Sequence, residues 1–360
     1  MRFRGASFYN FRNLVSARVE WDPGVNLLIG PNGAGKSGIL EALSVVSGWG
    51  PFEGTTASLA CWDRPDSGAA VRVRAEGEEE GEAAARIGRG AVLAWNGRRT
   101  GASAMRERLP SLAFLPNQTA LVEGGASARR RLLDQIGALL FAPYAQRLHE
   151  WRRIVRQRTV LLRRSGGDAS REESLARHLR ALAEPQAVWL WRARSQAAVR
   201  LEEALIPLGR LTGCPLRIRF VRGGGGFEEE PESDWRVASA ARAREEVRAG
   251  IPLVGPHRDD LLLTVEDRPA ARALSRGRRR RVAAALMLAA AGAVSRSLSR
   301  DPVLLFDEVA AELDDEGREA LFGALRESRL QVFAATAEEG FRFPGAFRVR
   351  VEGGKIAPCS

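Results

Sequence analysis

Cysteine, lysine and histidine are scarce in this chain, and no long apolar run occurs. The three cysteines, Cys61, Cys214 and Cys359, are scattered without CxxC spacing, so neither a zinc site nor a disulfide framework is expected, and a reducing cytoplasm is the simplest setting. The opening MRFRGASFYNFRN lacks the apolar core of a secretory leader. No stretch reaches the roughly 18 apolar residues that a membrane span needs, so no membrane partner is expected. The longest candidate, Val282–Val294, is alanine-rich and reads as a buried helix. Internal repeats are absent. Lysine occurs only as Lys36 and Lys355, although Lys and Arg together number 55.

What is present is globular: 360 residues, 45% hydrophobic and 28% charged, enough for one large domain or two moderate ones. The net charge of +11 favours a polyanionic partner, because neutralising phosphates releases condensed counterions. In a chain that otherwise uses arginine, a retained lysine marks a place where a compact ammonium matters. Lys36 is in such a place.

The apolar run Val25–Ile29 predicts a buried strand that enters Gly30-Pro31-Asn32-Gly33-Ala34-Gly35-Lys36-Ser37 directly. That octet matches the P-loop pattern in full. Its glycines let backbone N–H groups converge on phosphate oxygens, and the next helix points its positive end at them. Lys36 is placed for the β- and γ-phosphates of ATP, and the Ser37 hydroxyl for Mg²⁺. Far downstream, Pro302–Phe306 predicts a second buried strand ending in Asp307 and Glu308. An acid there sits beside the P-loop in parallel sheets, with Asp307 holding the metal through water and Glu308 polarising the attacking water. Between them, Leu274-Ser275-Arg276-Gly277 opens a helix whose first turn also carries Arg278–Arg281. Cations at that end oppose the helix dipole, which is easier to understand if phosphate arrives.

The middle of the chain changes character. Tyr144, Leu148, Trp151, Val155 and Leu162 follow helical spacing. Ser165–Asp168 breaks the helix, and Ser170 with Glu173 forms a capping-box signature for the next one. Pro185 is expected to kink or interrupt that second helix, and the pair makes an antiparallel hairpin. Ala70–Ala75 and Ala91–Trp95 read as strands of a meander separated by the acidic loop Glu76–Glu82. From Arg129 to Arg164 ten arginines face two acids. Arg129, Arg130, Arg131, Arg152 and Arg156 are therefore candidates for tracking duplex DNA phosphates without reading sequence. Few aromatics interleave, which disfavours a single-strand stacking platform.

The order of P-loop, long insertion, Ser-x-Gly helix start and late Asp-Glu strand resembles an ABC-type ATPase head, and Glu312-Leu313-Asp314 is similar to its D-loop. That resemblance implies two heads sandwiching ATP, with Ser275 and Gly277 reaching the partner's nucleotide. Phe11-Arg12-Asn13, Leu121-Val122-Glu123-Gly124, Arg129-Arg130-Arg131-Leu132-Leu133-Asp134 and Gly255-Pro256-His257-Arg258-Asp259-Asp260 resemble, more specifically, the RecF family. It implies an ATP-dependent homodimer on duplex DNA near single-strand gaps. Partnership with RecR, together with RecO, in loading the recombinase RecA is implied too. Arg12 becomes a candidate nucleotide contact, Gln118 a candidate metal-side ligand with Asn117 as its alternative, and His257 either a nucleotide contact or a turn cap.

Two departures from the broad class bear on rate. The signature reads LSRGR where LSGGQ is usual, and Thr336 stands where a switch histidine is common. Both imply a slow ATPase that acts as a switch. Three rivals are a relative of the coiled-coil SMC proteins, a transporter ATPase subunit and a scaffold that binds ATP only structurally. The hairpin is too short for the first, and the excess arginine is unneeded by the second. The expected fold is α/β: an ABC-type head with a mixed P-loop sheet, built from residues 1–115 and 255–360, plus a mainly helical second lobe, residues 116–254, carrying the hairpin.

Overall fold

A computed structural model describes residues 1–61, 68–164, 169–224, 230–309 and 313–359, with side chains left undescribed at 15, 116–117, 164 and 169–180. The chain divides into two compact units. The first comprises Met1–Thr119, Pro207–Gly213 and Ser275–Ser360, and the second Ala120–Ile206 and Cys214–Leu274.

Two six-stranded sheets make up the first unit. One runs in the order Lys355–Pro358, Phe347–Glu352, Val25–Ile29, Val332–Thr336, Val303–Phe306, Ser111–Phe114, parallel except for its first strand. Val25–Ile29, Val303–Phe306, Val332–Thr336 and Ser111–Phe114 are buried along their whole length, as strands covered on both faces must be. The second sheet is antiparallel and ordered Leu14–Glu20, Arg2–Phe11, Ala69–Glu76, Gly81–Ile87, Ala91–Trp95, Arg98–Thr100. Its strands alternate buried and exposed positions, the pattern of a sheet with one apolar face.

The helix Lys36–Val46 is buried at every position but Ser37. Ile39, Leu40, Leu43 and Val46 join Phe8, Phe11, Val71, Val73, Leu305 and Phe333 in one core. Each fully buried aliphatic side chain contributes about 1.5–3 kcal/mol, so the helix that follows the P-loop is held from both sheets. The helix Arg276–Leu298 is long and apolar enough to pass for a membrane span by composition. It is nevertheless a core helix, buried from Arg280 through Ala291.

The second unit is mainly helical. It contains Ala126–Leu140, Tyr144–Arg164, Ala169–Leu205, Pro231–Ala241 and Ala243–Ala249, with a small sheet ordered Arg268–Pro269, Asp260–Val265, Leu216–Val221. Its core holds Tyr144, Trp151, Trp191, Trp235, Leu190 and Val254. Leu148 and Val155 pack against that core, so the stripe read from the sequence is the buried face of its helix.

The P-loop sheet is mixed, as expected, through its antiparallel first strand, and the alternating strands form a sheet of their own because one-faced strands cannot sit inside a doubly covered sheet. Three expectations are corrected. The acidic loop contains the start of an additional strand, Gly81–Ile87, whose alanines hid its alternation. Pro185 does not interrupt its helix, which runs from Ala169 to Leu205. A proline deletes one backbone bond, and buried Ala183, Ala187 and Val188 hold the segment on either side of it. That helix is already running at Ala169, so Ser170 is not its cap. The break at Ser165–Asp168 and the residue Glu312 lie outside the described residues.

Candidate nucleotide site

The P-loop is shaped by close backbone approaches that only glycine permits. An added Cβ on Gly30 would collide with the Val351 carbonyl oxygen. Gly33 and Gly35 sit at φ 77° and 116°, a region that L side chains rarely enter. Gly35 stands at the N-terminus of Lys36–Val46, where unpaired N–H groups and the helix dipole favour an anion. Around the loop, the Asn13 amide donates to the Gly33 carbonyl at 2.9 Å and the Gly354 N–H to the Ala34 carbonyl at 3.0 Å. The loop is thus clamped by the turn after the first strand and by the final hairpin.

Lys36 is buried and donates from Nζ to the carbonyls of Gly30 at 2.8 Å and Pro31 at 2.9 Å. Burial lowers its pKa, while Asp307 and Glu308 raise it. Asp307 follows Val303–Phe306, and its N–H donates to the Phe114 carbonyl at 2.9 Å. Burial pushes the Asp307 carboxyl up; a hydrogen bond from the Ser37 hydroxyl lowers it, neighbouring Glu308 raises it, and Lys36 lowers it. Glu308 is exposed and left-handed at φ 52°, and its carbonyl accepts from Arg280 at 2.9 Å. Holding a non-glycine residue there costs on the order of 1 kcal/mol.

These groups line one cavity of about 820 Å³, together with Arg12, Asn13, Asn32, Gly33, Glu41 and Phe52. Arg12 enters from the turn after Arg2–Phe11 and forms a two-pronged pair with Glu41, 2.6 Å from Nε and 2.9 Å from Nη2. Glu41 and Phe52 were not anticipated from the sequence; Glu41 sits on the apolar P-loop helix, where its burial has no local signal. In the sequence Asn13 stands out only as part of the Phe11-Arg12-Asn13 motif.

The structure does not bring every candidate to this cavity. Leu115 lines it but Gln118, in the turn Pro116–Thr119, does not; the Asn117 side chain lies outside the described ones. Thr336 is buried, and its hydroxyl accepts from the Glu338 N–H at 3.1 Å. Ser275 is the exposed N-terminal residue before Arg276–Leu298, with no capping bond from its side chain, and Gly277 lies in that helix's first turn. The arginine cluster there is partly inward: Arg281 donates to the Leu211 and Arg210 carbonyls, and Arg280 lies over the Phe114 ring. Those two are tied to the protein, so the dipole argument for an arriving phosphate loses part of its basis. Asp314 caps the helix Asp315–Ser328 through the Gly317 N–H at 2.8 Å.

In the second unit, the candidate DNA arginines divide. Arg129 pairs with both oxygens of Asp260, at 2.7 and 3.0 Å, and also donates to the Gly124 carbonyl. Arg130 donates to the Asp259 carbonyl at 2.7 Å. Both are therefore bonded within the unit, and the Asp259 and Asp260 acceptors lie more than a hundred positions along the chain, beyond any local charge count. Arg131 and Arg156 are exposed, and Arg152 is exposed with Asp134 at 3.5 Å. His257 holds the Pro252 carbonyl at 3.0 Å and packs on Trp151, which fits the turn reading and not a nucleotide contact.

Comparisons with known proteins place this geometry. The family model described as an AAA domain matches residues 7–82. The chain is 30% identical over 363 residues to the DNA replication and repair protein RecF of Heliobacterium modesticaldum, spanning 93% of this chain and 92% of that one. The RecF of Deinococcus radiodurans is 32% identical over 377 residues, spanning 100% and 96%. A solved structure of the recombination mediator protein RecF with ATP, from the RecFOR pathway, superposes with a TM-score of 0.85 at 22% identity, covering 100% of this chain and 98% of that one. An SMC head bound to the C-terminal winged-helix domain of ScpA gives 0.58 at 17%, covering 100% and 98%. The two superpositions establish the fold, an ABC/SMC-type α/β head with a helical lobe, and the full-length sequence matches establish the lineage. The chain belongs to the RecF family of DNA replication and repair proteins.

Proposed function

We propose that the chain binds ATP at Gly30–Ser37 and uses it as a slow switch for pairing with a second copy on duplex DNA. One observation carries this: a single cavity collects Lys36 and Ser37 from the P-loop with Asp307 and Glu308 from a distant strand end. The donor set fits a magnesium nucleotide. The Ser37 hydroxyl and the Asp307 carboxylate both line the cavity, and both are hard oxygen ligands that would hold Mg²⁺, which neutralises phosphate charge when bound. Lys36 trades its two loop carbonyls for phosphate oxygens. Backbone N–H groups at Gly33–Ser37 cradle the same phosphates, and Arg12 adds a guanidinium. Glu308 orients the attacking water and takes its proton. Exposed Ser275 and first-turn Gly277 meet the partner copy's nucleotide. The LSRGR signature and Thr336, bonded to its own loop, support low turnover.

Duplex DNA contacts fall to Arg131, Arg152 and Arg156, and the family supports a place near single-strand gaps with RecR and RecO in RecA loading. The test is gel filtration and duplex-DNA binding of the wild type and Lys36→Ala, each with and without ATP–Mg²⁺. ATP should promote dimerisation and tighten DNA binding in the wild type only. Glu308→Gln should keep nucleotide binding while lowering turnover about 100-fold or more. Replacing Arg131, Arg152 and Arg156 by Ala should flatten the salt dependence, by about one unit of slope per lost phosphate contact. DNA binding indifferent to nucleotide would remove the switch.

A further inference from the structure

The nucleotide cavity contains a charge pair that its P-loop chemistry does not use. Glu41 lies on Lys36–Val46 and is 3% exposed. A lone carboxylate there would be costly to bury, but its oxygens accept three hydrogen bonds. Two come from the Arg12 fork, at 2.6 and 2.9 Å, and the third from the Phe52 backbone N–H at 2.8 Å. Arg12 and Phe52 both line the cavity, so one buried anion ties together two parts of its wall.

Arg12 is itself held in an unusual backbone. Its φ of 54° is left-handed, and its N–H donates to the Leu59 carbonyl at 2.8 Å. A Cβ built on Gly38 would sit 3.7 Å from the Arg12 Cβ, which places the arginine beside the helix one turn before Glu41. A guanidinium has five N–H donors. Glu41 takes two of them, and among the described residues no other acceptor meets the group. The side chain keeps 27% of its surface exposed, against 4% for Glu41. The buried partner therefore fixes the plane of the fork, while the remaining donors stay within reach of the cavity.

We infer that Glu41 is a positioning residue: it orients Arg12 and the Phe52 backbone so that the guanidinium's remaining donors meet a phosphate oxygen of the bound nucleoside triphosphate. This rests on the nucleotide reading above. Glu41 touches no nucleotide; its contribution passes through Arg12. A carboxylate beside an arginine also weakens that arginine's pull on a second anion. The orientation effect and the charge effect therefore have opposite signs, and a measurement can tell which wins.

The experiment is a double-mutant cycle on the full chain, reading the Kd of a fluorescent ATP analogue with Mg²⁺ and the thermal midpoint in parallel. Glu41→Gln keeps the shape and one acceptor oxygen. It should raise Kd about tenfold in the parent and less than about twofold in Arg12→Ala, as expected if the loss is of charge-assisted hydrogen bonds made by Arg12. Glu41→Asp, which keeps the charge but shortens the reach, should behave similarly and serves the cycle if the glutamine variant does not fold. Equal weakening in both backgrounds would mean a purely structural role and overturns the inference. So does an unchanged Kd. A tighter Kd overturns it as well, because Glu41 would then compete with phosphate for Arg12. Lys36→Ala separates the two levels. If it binds the analogue as well as the parent does, or if the parent binds none, the nucleotide reading fails and this inference falls with it. If Lys36 matters and the cycle is additive, only the inference fails.

Discussion

Both units contain a cluster of opposite charges, and the two clusters are built on different plans. In the second unit, Arg194 is 2% exposed and lies between Asp134 and Asp259, donating to them at 2.7 and 2.6 Å and also to the Pro256 carbonyl. Asp259 further accepts from the Trp191 Nε1–H and the Gly223 N–H, both at 2.8 Å, and Asp134 from the Tyr144 hydroxyl at 2.6 Å. These charges answer one another and fill space between helices. In the first unit, Lys36, Asp307 and Glu308 answer one another only in part, and they border a cavity. A closed network fixes architecture, whereas charges held around open space are arranged for something that is not protein.

The comparison is broken most directly at Arg194. Arg194→Met should destabilise the protein by about 3–5 kcal/mol in urea unfolding, because it leaves fully buried Asp259 without its cation and partly buried Asp134 with only Arg152 at 3.5 Å. A variant as stable as the parent would erase the distinction. His257, in the same region, gives an intermediate effect that depends on pH. Burial, together with nearby Arg258, Arg158 and Arg130, lowers its pKa from 6.5 to about 4, against the raising effect of its bond to Pro252. The unfolded chain then binds the extra proton first, so this contribution is complete above pH 6.5 and is lost as pH falls toward 4. It should amount to about 3 kcal/mol, and His257→Asn should flatten the stability curve across that window.

The smallest effect should have the opposite sign. Because burial raises the Asp307 pKa, the folded state favours its proton, and stability declines as pH rises through the shifted value. Asp307→Asn should therefore stabilise the protein without nucleotide at neutral pH, by about 1 kcal/mol, while damaging metal-dependent binding. Thermal melts should show the gain shrinking as pH is lowered toward the ordinary value of 3.8. A destabilised Asp307→Asn would place this cluster with the closed kind.

Legibility follows the same divide. The P-loop was readable because its glycines, lysine and serine are contiguous, and the Asp307-Glu308 pair because it ends a wholly apolar strand. Glu41 was not, since a single acid on an apolar helix gives no hint that Arg12 and Phe52 will converge on it. The bonds of Arg129 and Arg130 were not readable either, because a charge count sees only neighbours in sequence. Their partners, Asp260 and the Asp259 carbonyl, arrive from a distant segment. Within Gly255–Asp260, Asp259 and Asp260 anchor Arg130 and Arg129, and Gly255, at φ 126°, lets Trp151 pack against the backbone. The strand Gly81–Ile87 was hidden because alanine marks neither face of a strand clearly.

The strand Val25–Ile29 is bordered on one side by Val332–Thr336 and on the other by Phe347–Glu352. During synthesis its edges therefore wait, unpaired, until residues 332–352 have left the ribosome, and the segment between them can condense first. A chain stopped by premature termination after residue 37 and before residue 332 keeps a Gly30–Ser37 sequence but loses the strands that flank Val25–Ile29. Such fragments would expose a sticky apolar edge to chaperones and proteases and hold no working loop.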